Sequence, residues 1–292
     1  MSEKSPSSST SAGSERLPVR KTYKLFIGGA FPRSESGRSY PVTAPSGEVV
    51  HAAQASRKDV RDAVVAARSA FGTWSTMTAY NRGQILYRIA EVLEGRRAQF
   101  AAVLGGRRAD SAEVDAAIDR WVHYAGWADK YAQVVGGTNP VAGPYFNFTL
   151  PEPTGVVGVL APQDAPLLGL VSVLAPVLAT GNTTVVVTAQ DHPLAAVTLA
   201  EVLETSDLPG GVVNLLTGFT AELAPWLAAH RDVNALDVTG AAPGARADLV
   251  AAAADNVKRV YVPRDADWTA APGLSRLNAF VETKTVWHPI GV

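Results

Sequence analysis

Residues 153–262 alternate between short apolar runs and helical segments, and this alternation restricts the fold more than any other feature. The predicted strands are Val156–Leu160, Thr183–Val187, 212–216, 235–238 and 257–262. The helices predicted between them are 167–179, 194–204, 221–230 and 245–254. Strands without polar alternation are typical of a parallel sheet that helices cover on both faces. Because the connections are short, we predict right-handed βαβ units and an α/β fold with a doubly wound parallel sheet.

The composition excludes several classes of function. Acidic and basic side chains nearly cancel, 27 against 26, so no excess of positive charge indicates nucleic acid binding. The longest apolar run, residues 165–179, is interrupted by Pro166, Gly169 and Pro176 and is too short to span a bilayer. We therefore expect no membrane partner. The sequence has no cysteine, which excludes disulfides, thiolate metal sites and a cysteine nucleophile within it.

The first 16 residues are rich in serine and have no apolar periodicity. Such a segment cannot bury enough surface to offset its ordering entropy, so we predict a disordered tail at 1–16. It also lacks the apolar core of a secretory signal. We therefore expect a cytoplasmic protein.

Residues 17–135 are predicted to form two strands, at 24–28 and Val49–Ala53, and three helices. Ser56 and Asp59 form a capping box at the start of the first helix. The other two helices are predicted at 81–100 and 112–135. The third has one apolar face, which indicates core packing rather than a base-stacking surface; its members are Val114, Ile118, Trp121, Tyr124, Ala128 and Tyr131.

Two further extended runs flank the sheet segment, at 145–150 and 280–287. Both contain β-branched and aromatic residues, and we expect them to pair with each other. A terminal strand that a loop at 265–273 separates from the sheet is suited to pairing with another subunit. The alternative is that the paired strands close the chain on itself as a monomer.

Several short motifs occur in a fixed order along the chain. They are Ala70-Phe71 and Trp74 between the first two helices, Pro-Thr-Gly-Val-Val-Gly-Val at 153–159, Thr-Gly-Asn-Thr at 180–183 and Leu-Pro-Gly-Gly-Val-Val-Asn at 208–214. In this order and spacing they resemble the aldehyde dehydrogenase superfamily over about residues 24–267, and the resemblance resumes in the C-terminal tail. It implies a Rossmann-like nicotinamide-dinucleotide domain, a catalytic domain with a cysteine nucleophile, and a β-arm for oligomerisation.

The resemblance also divides the chain. We expect N-terminal strands and helices at 17–135 that pack on the sheet domain, and a Rossmann-like domain at 153–267. An oligomerisation strand at 136–152 is expected to meet a linker and C-terminal oligomerisation strand at 268–292. The residues that the resemblance places in this arm are Tyr145, Phe146, Phe148, Glu282, Lys284, Val286 and Trp287.

The cofactor positions of the family are altered in this sequence. Where the family has Lys-Pro-Ala-Glu, the residues that would hold the adenosine ribose are Val187 and Gln190, and Ala241 lacks the hydroxyl implied for the pyrophosphate. Each lost contact is worth roughly 1.5–3 kcal/mol. Losing two or three weakens dinucleotide binding by about a thousandfold, so we expect no cofactor, although weak NAD(P) binding stays open. The predicted degenerate cofactor site is Pro162, Gln163, Asp164, Val187, Gln190, Gly218, Gly240 and Ala241.

The catalytic positions of the family are altered as well. Asp164 stands where the family's asparagine donates an amide to the oxyanion, and a carboxylate would repel that charge. Pro263 stands where the family's Leu-Glu-Leu-Gly-Gly motif supplies the general base. Beyond Asp267 the chain leads almost directly to its tail, so we expect the catalytic domain to be missing. Aldehyde oxidation in the family needs a thiolate; we therefore predict no catalytic residues and a pseudoenzyme.

Three functions are consistent with these positions. The first is a non-catalytic structural or regulatory subunit that assembles through its arm, with itself or with a full-length aldehyde dehydrogenase. The second is an NAD(P)-dependent oxidoreductase that is active only with a partner subunit. The third is a small-ligand sensor that uses the crevice near Asp164 and Gly240.

Two smaller questions concern Asp164 and the histidines. Asp164 is either a new acid or base in a repurposed site, or a first-turn acid ahead of Pro166. No two histidines have metal-ligand spacing, so we predict no metal site; they are His51, His123, His192, His230 and His288.

Overall fold

A computed structural model describes residue 19 and residues 21–263 and 267–291. The predicted tail at 1–16 lies outside these residues. The strands are β1 Ser39–Thr43, β2 Val49–Ala53, β3 Gly137–Asn139, β4 Tyr145–Pro153, β5 Val156–Leu160, β6 Thr183–Val187, β7 Val213–Leu216, β8 Ala235–Asp237, β9 Arg259–Tyr261 and β10 Val281–Pro289. The helices are α1 Arg57–Thr76, α2 Ala79–Gly95, α3 Arg97–Leu104, α4 Arg108–Trp127, α5 Tyr131–Val135, α6 Leu168–Ala179, α7 Pro193–Glu204, α8 Thr220–Ala229, α9 Arg246–Ala254 and α10 Ser275–Ala279.

The central sheet is parallel and has the strand order β7-β6-β5-β8-β9. The order reverses between β5 and β8, as it does in a doubly wound sheet. Alternate side chains of β5 enter two different cores: Val157 packs with α6 and α7, whereas Val156 packs with α1, α8 and α9. Helices therefore cover both faces, and the predicted α/β fold is confirmed.

The strand ends differ from the prediction in two places. The strand predicted at 257–262 is only Arg259–Tyr261, because Val257 has a left-handed backbone (φ 58°) and its amide donates to the Ala254 carbonyl. The strand predicted at 24–28 is not a regular one: Phe26 pairs with Leu215 in a short antiparallel bridge at the sheet edge. β1 and β3 have no counterpart among the strands predicted from the sequence.

The helices predicted at 81–100 and 112–135 are each divided in two. The first breaks at Arg96, between α2 and α3, and the second breaks between α4 and α5. The predicted capping box is confirmed, since the Ser56 Oγ accepts from the Asp59 amide at 3.4 Å and the Asp59 carboxylate accepts from the Ser56 amide at 2.7 Å. Asp59 is buried and also accepts from the Ser34 hydroxyl at 2.8 Å, which joins the helix start to the preceding loop.

The aromatic face predicted around Trp121 lies in the core, and all six of its predicted members are buried. It packs between α2 and α6 in the same apolar cluster as one face of the sheet. Full burial of one large apolar side chain stabilises a fold by about 1.5–3 kcal/mol. This face therefore holds the N-terminal helices against the sheet.

The two extended runs near 145–150 and 280–287 pair as predicted. β4 and β10 are antiparallel over nine residues each, from Tyr145 opposite Pro289 to Pro153 opposite Val281. β3 pairs with the other edge of β4, so the arm is a three-stranded sheet in the order β10-β4-β3. No helix in the described part of the chain has both the length and the apolar character that crossing a membrane requires.

Candidate functional site

A cleft of about 870 Å³ opens at the carboxyl ends of the central strands. The loops after β5, β6 and β8 form its floor, and its sides are the first turns of α8 and α9. This volume is in the range of pockets that bind small molecules and cofactors. The doubly wound sheet thus has a cavity where the strand order predicts one.

Six of the eight predicted cofactor residues line this cleft, and two do not. The lining residues are Pro162, Gln163, Asp164, Gln190, Gly240 and Ala241. Val187 is fully buried, and its side chain packs in the core against α1 and α8. Gly218 has a left-handed φ of 144°, and an added Cβ would lie 3.2 Å from the Ala55 amide nitrogen. The backbone conformation and this close approach therefore account for the glycine.

Two glutamines fix the loops after β5 and β6. The Gln163 Nε2 donates to the Ala161 carbonyl at 2.9 Å, and its Oε1 accepts from the Gln190 amide at 2.9 Å. The Gln190 carbonyl in turn accepts from the Tyr40 hydroxyl at 3.1 Å. Burial raises the pKa of Tyr40, so this hydroxyl stays a donor at neutral pH. Both ends of the Gln163 side-chain amide are therefore hydrogen-bonded to the backbone of these loops.

Gly240 marks the closest approach of two strand ends. Its amide donates to the Leu160 carbonyl at 2.8 Å. A Cβ at this position would lie 1.8 Å from the Ala161 carbonyl oxygen, far inside van der Waals contact. Only glycine fits here without a backbone shift.

The charged side chains that line the cleft are mostly acidic. Among the described lining residues, Asp164, Asp191 and Asp248 face a single guanidinium, that of Arg246. All three carboxylates are exposed, and a surface with this excess of negative charge repels anions. The balance of charge therefore disfavours a ligand with two phosphates.

Two buried polar atoms in the cleft residues have no hydrogen-bond partner. They are the Thr220 Oγ1 and the Arg246 Nε. Most buried polar atoms in proteins are paired, so these two are suited to an added acceptor. Neither residue is among those predicted from the sequence, although each stands at the start of a helix that follows a strand, where such sheets bind ligands.

The cleft does not fit a tightly held nicotinamide dinucleotide. Its volume is sufficient, and Thr220 and Arg246 offer unpaired donors. However, Val187 is sealed in the core, and Gln190 carries no charge with which to hold a ribose. Three carboxylates line the cleft against one guanidinium, which is unfavourable for a pyrophosphate.

The positions implied for catalysis also lie at this cleft. Asp164 and Pro263 both line it. A carboxylate cannot donate a hydrogen bond to an oxyanion, and the proline ring has no group that exchanges a proton. In residues 21–263 and 267–291 no three His, Asp or Glu side chains are grouped to hold a metal ion.

A buried ion pair supports the loop after β8, which lines the cleft. Asp237, at the end of β8, is fully buried, and its Oδ2 accepts from the Arg276 Nη1 at 2.5 Å. Its Oδ1 accepts from the Thr239 amide at 2.9 Å and from the Thr239 hydroxyl. The Arg276 guanidinium lies 4.6 Å from the ring centre of Tyr261. α10 is thereby attached to the loop that carries Gly240.

Comparisons with known proteins identify the family. Residues 31–263 match the model of the aldehyde dehydrogenase family. A cytosolic aldehyde dehydrogenase of Elephantulus edwardii is 35% identical over 268 residues, which are 86% of this chain and 53% of that protein. The mitochondrial aldehyde dehydrogenase of Homo sapiens is 36% identical over 251 residues, 81% of this chain and 47% of that protein.

Solved structures give the same result. The HpcC structure from Thermus thermophilus has a TM-score of 0.75 and 34% identity, over 82% of this chain and 47% of that one. The NAD+ complex of an aldehyde dehydrogenase from Bacillus cereus has a TM-score of 0.74 and 31% identity, over 82% and 50%. The chain spans about half the length of these relatives. It belongs to the aldehyde dehydrogenase family.

Proposed function

We propose that this chain is a non-catalytic member of its family, a structural or regulatory subunit that assembles through the β-arm. The observation that carries the proposal is the cleft, where Asp164 and Pro263 occupy the positions implied for the oxyanion donor and the general base. No cysteine is present to form a thioester. The oxyanion donor and the general base are thus without a suitable side chain at these two positions, and such losses reduce catalysis by several powers of ten.

The arm supports assembly because its apolar residues are not used by the fold. Tyr145, Phe146, Leu150 and Trp287 are all exposed, and the first and last form an edge-to-face pair with ring centres 5.7 Å apart. In the described chain, β10 has a partner strand on one side only. A free strand edge beside exposed aromatics is a surface on which a second chain can add a strand.

The charged residues of the arm already have partners within the chain. Glu282 accepts from Arg259 through both oxygens, at 2.6 and 2.7 Å, and this bonding lowers the pKa of Glu282. Lys284 donates to Glu152 at 2.8 Å. Exposed pairs of this kind contribute about 0–1 kcal/mol. The energy of binding a second chain is therefore expected to come from the exposed aromatic residues. Phe148 and Val286 lie opposite each other in the β4–β10 pair.

The expected partner is a second copy of this chain or a full-length aldehyde dehydrogenase of the same organism. Light scattering after gel filtration should then give at least twice the 30.6 kDa of one chain, or a mixed complex when both proteins are present. The double variant Tyr145→Lys/Phe146→Lys puts a charge on each face of the arm. We expect it to elute as a monomer, because a buried lysine opposes an apolar contact.

The matched control is Tyr80→Lys/Tyr87→Lys on α2. These two tyrosines are 63% and 48% exposed, against 44% and 47% for Tyr145 and Phe146, and the change in charge is the same. The control should keep the mass of the unchanged chain. If the unchanged chain is monomeric both alone and in the presence of the full-length relative, the assembly proposal is contradicted. An arm variant that assembles as well as the control would also contradict it.

The second candidate is an NAD(P)-dependent oxidoreductase that is active only with a partner subunit. The unpaired donors of Thr220 and Arg246 in the cleft favour it, as does the NAD+ complex of the Bacillus cereus relative. Calorimetric titration of NAD+ and NADP+ separates the two candidates. Saturable heat at millimolar cofactor favours the oxidoreductase, and its absence favours the structural subunit.

We also propose a cytoplasmic location. The support is the lack of cysteine, which means that an oxidising compartment would give this chain no disulfide. The relative from Elephantulus edwardii is a cytosolic enzyme by name.

A further inference from the structure

A second cavity, of about 190 Å³, lies beside the cleft and shares Pro263 and Trp268 with it. We call it the arginine cavity. Its wall comes from α4, α6, β9 and the segment 267–276. The polar and aromatic residues that matter here are Arg120, Tyr124, Ser172, Trp268 and Arg276.

Arg120 is a buried cation that no carboxylate of the described residues contacts. Only 9% of the residue is exposed. Its guanidinium donates to the Ser172 Oγ at 2.7 Å and to the carbonyls of Trp268 and Ala270 at 2.8 and 3.1 Å. None of these three bonds uses its Nε. Burial lowers the pKa of Arg120, and the positive charge of the nearby Arg276 lowers it further.

A second donor at the same cavity is unpaired. The Trp268 Nε1 is buried and has no acceptor among the described residues. Two hydroxyls also line the cavity, those of Tyr124 and of Ser172, which accepts from Arg120. Because native proteins pair most of their buried polar atoms, an unpaired indole N–H beside a buried guanidinium is suited to an added acceptor.

The described carboxylates near the cavity do not supply that acceptor. Asp237 is bound by Arg276 and Thr239. Asp267, the one carboxylate among the described lining residues, accepts through its Oδ1 from the Thr269 amide at 2.9 Å and hydroxyl at 2.6 Å. Neither carboxylate bonds to Arg120.

We propose that the arginine cavity binds a small carboxylate anion, held by the Arg120 guanidinium and the Trp268 indole N–H. One free N–H of the guanidinium and the indole N–H can each donate to an oxygen of a carboxylate, and the anion would neutralise the buried charge. The volume restricts the ligand to a few heavy atoms, so acetate is a suitable probe. This inference concerns a different cavity from the cleft and does not depend on the proposed function.

The test is a titration of the ¹⁵N-labelled chain with sodium acetate, with sodium chloride as the ionic-strength control. The chain has six tryptophans, and the indole resonance that disappears in Trp268→Phe is assigned to Trp268. We expect acetate to move that resonance to a saturating position with a Kd on the order of 1 mM. Chloride should not reproduce the shift.

Two variants report on the groups involved. Arg120→Met should weaken acetate binding by about tenfold or more, whereas Arg88→Met, which changes an exposed arginine of α2 in the same way, should leave the Kd unchanged. If Arg120→Met does not fold, calorimetry of acetate with Trp268→Phe replaces it, and a weakening of about fivefold is expected. A Trp268 resonance that ignores acetate would overturn the proposal. So would an equal Kd in the Arg120 and Arg88 variants, or saturation by inorganic phosphate but not by acetate.

Discussion

Arg276→Met is expected to lower the free energy of unfolding by about 3–5 kcal/mol, because it leaves the Asp237 carboxylate buried without its counter-ion. The Thr239 amide and hydroxyl still donate to the Asp237 Oδ1. The Asp237 Oδ2 loses the guanidinium that donates to it. The variant also loses the packing of the guanidinium on Tyr261 and Trp268. Urea denaturation measures the change as a shift of the midpoint at constant slope.

Two controls separate this cost from a general effect of removing an arginine. Arg97→Met breaks an exposed pair with Asp115 and should change the free energy of unfolding little. The double variant Asp237→Asn/Arg276→Met removes both charges of the buried pair and should recover a large part of the lost stability. A cost for Arg276→Met as small as that of Arg97→Met would show that the pair does not hold α10 to the sheet.

Gly240→Ala should be destabilising by about 3 kcal/mol or more, because its Cβ would lie 1.8 Å from the Ala161 carbonyl oxygen. That oxygen is backbone and cannot move without opening the junction of β5 and β8. The hydrogen bond from the Gly240 amide to the Leu160 carbonyl would be lost in the same shift. Thermal or urea unfolding of the purified variant gives the size of the effect.

Gly244→Ala is the matched control. It lies four residues further on in a short 3-10 helix, and an added Cβ would meet nothing within 4 Å. Neither glycine has a left-handed φ, so backbone strain does not distinguish them. Gly244→Ala should be neutral or stabilise by about 0.4–1 kcal/mol through the unfolded state. Equal stabilities for the two variants would contradict the close approach at Gly240.

Much of the fold could be predicted from sequence because the pattern is local. The β-branched runs of β5 and β6 and the capping box at Ser56 are set by neighbouring residues, and all three have the predicted bounds or contacts. The turn at Val257 could not be predicted, because a β-branched residue rarely adopts a left-handed backbone. The pairing of Phe26 with Leu215 depends on residues far apart in sequence.

The site was predicted in part for the same reason. Motif order placed Pro162, Asp164 and Gly240 in one cleft, since strand ends meet at one edge of a parallel sheet. It did not show that Val187 is sealed in the core. Nor could it show that Arg120 and Trp268, 148 positions apart, share a second cavity.

We propose that this chain keeps the family scaffold but not the groups that oxidise an aldehyde. The most direct test is to incubate the purified chain alone with an aldehyde and either NAD+ or NADP+, and to follow the ultraviolet absorbance of reduced nicotinamide. We expect no reduction above the rate without protein. Nicotinamide reduction in proportion to the concentration of this chain, without a companion subunit, would contradict the claim.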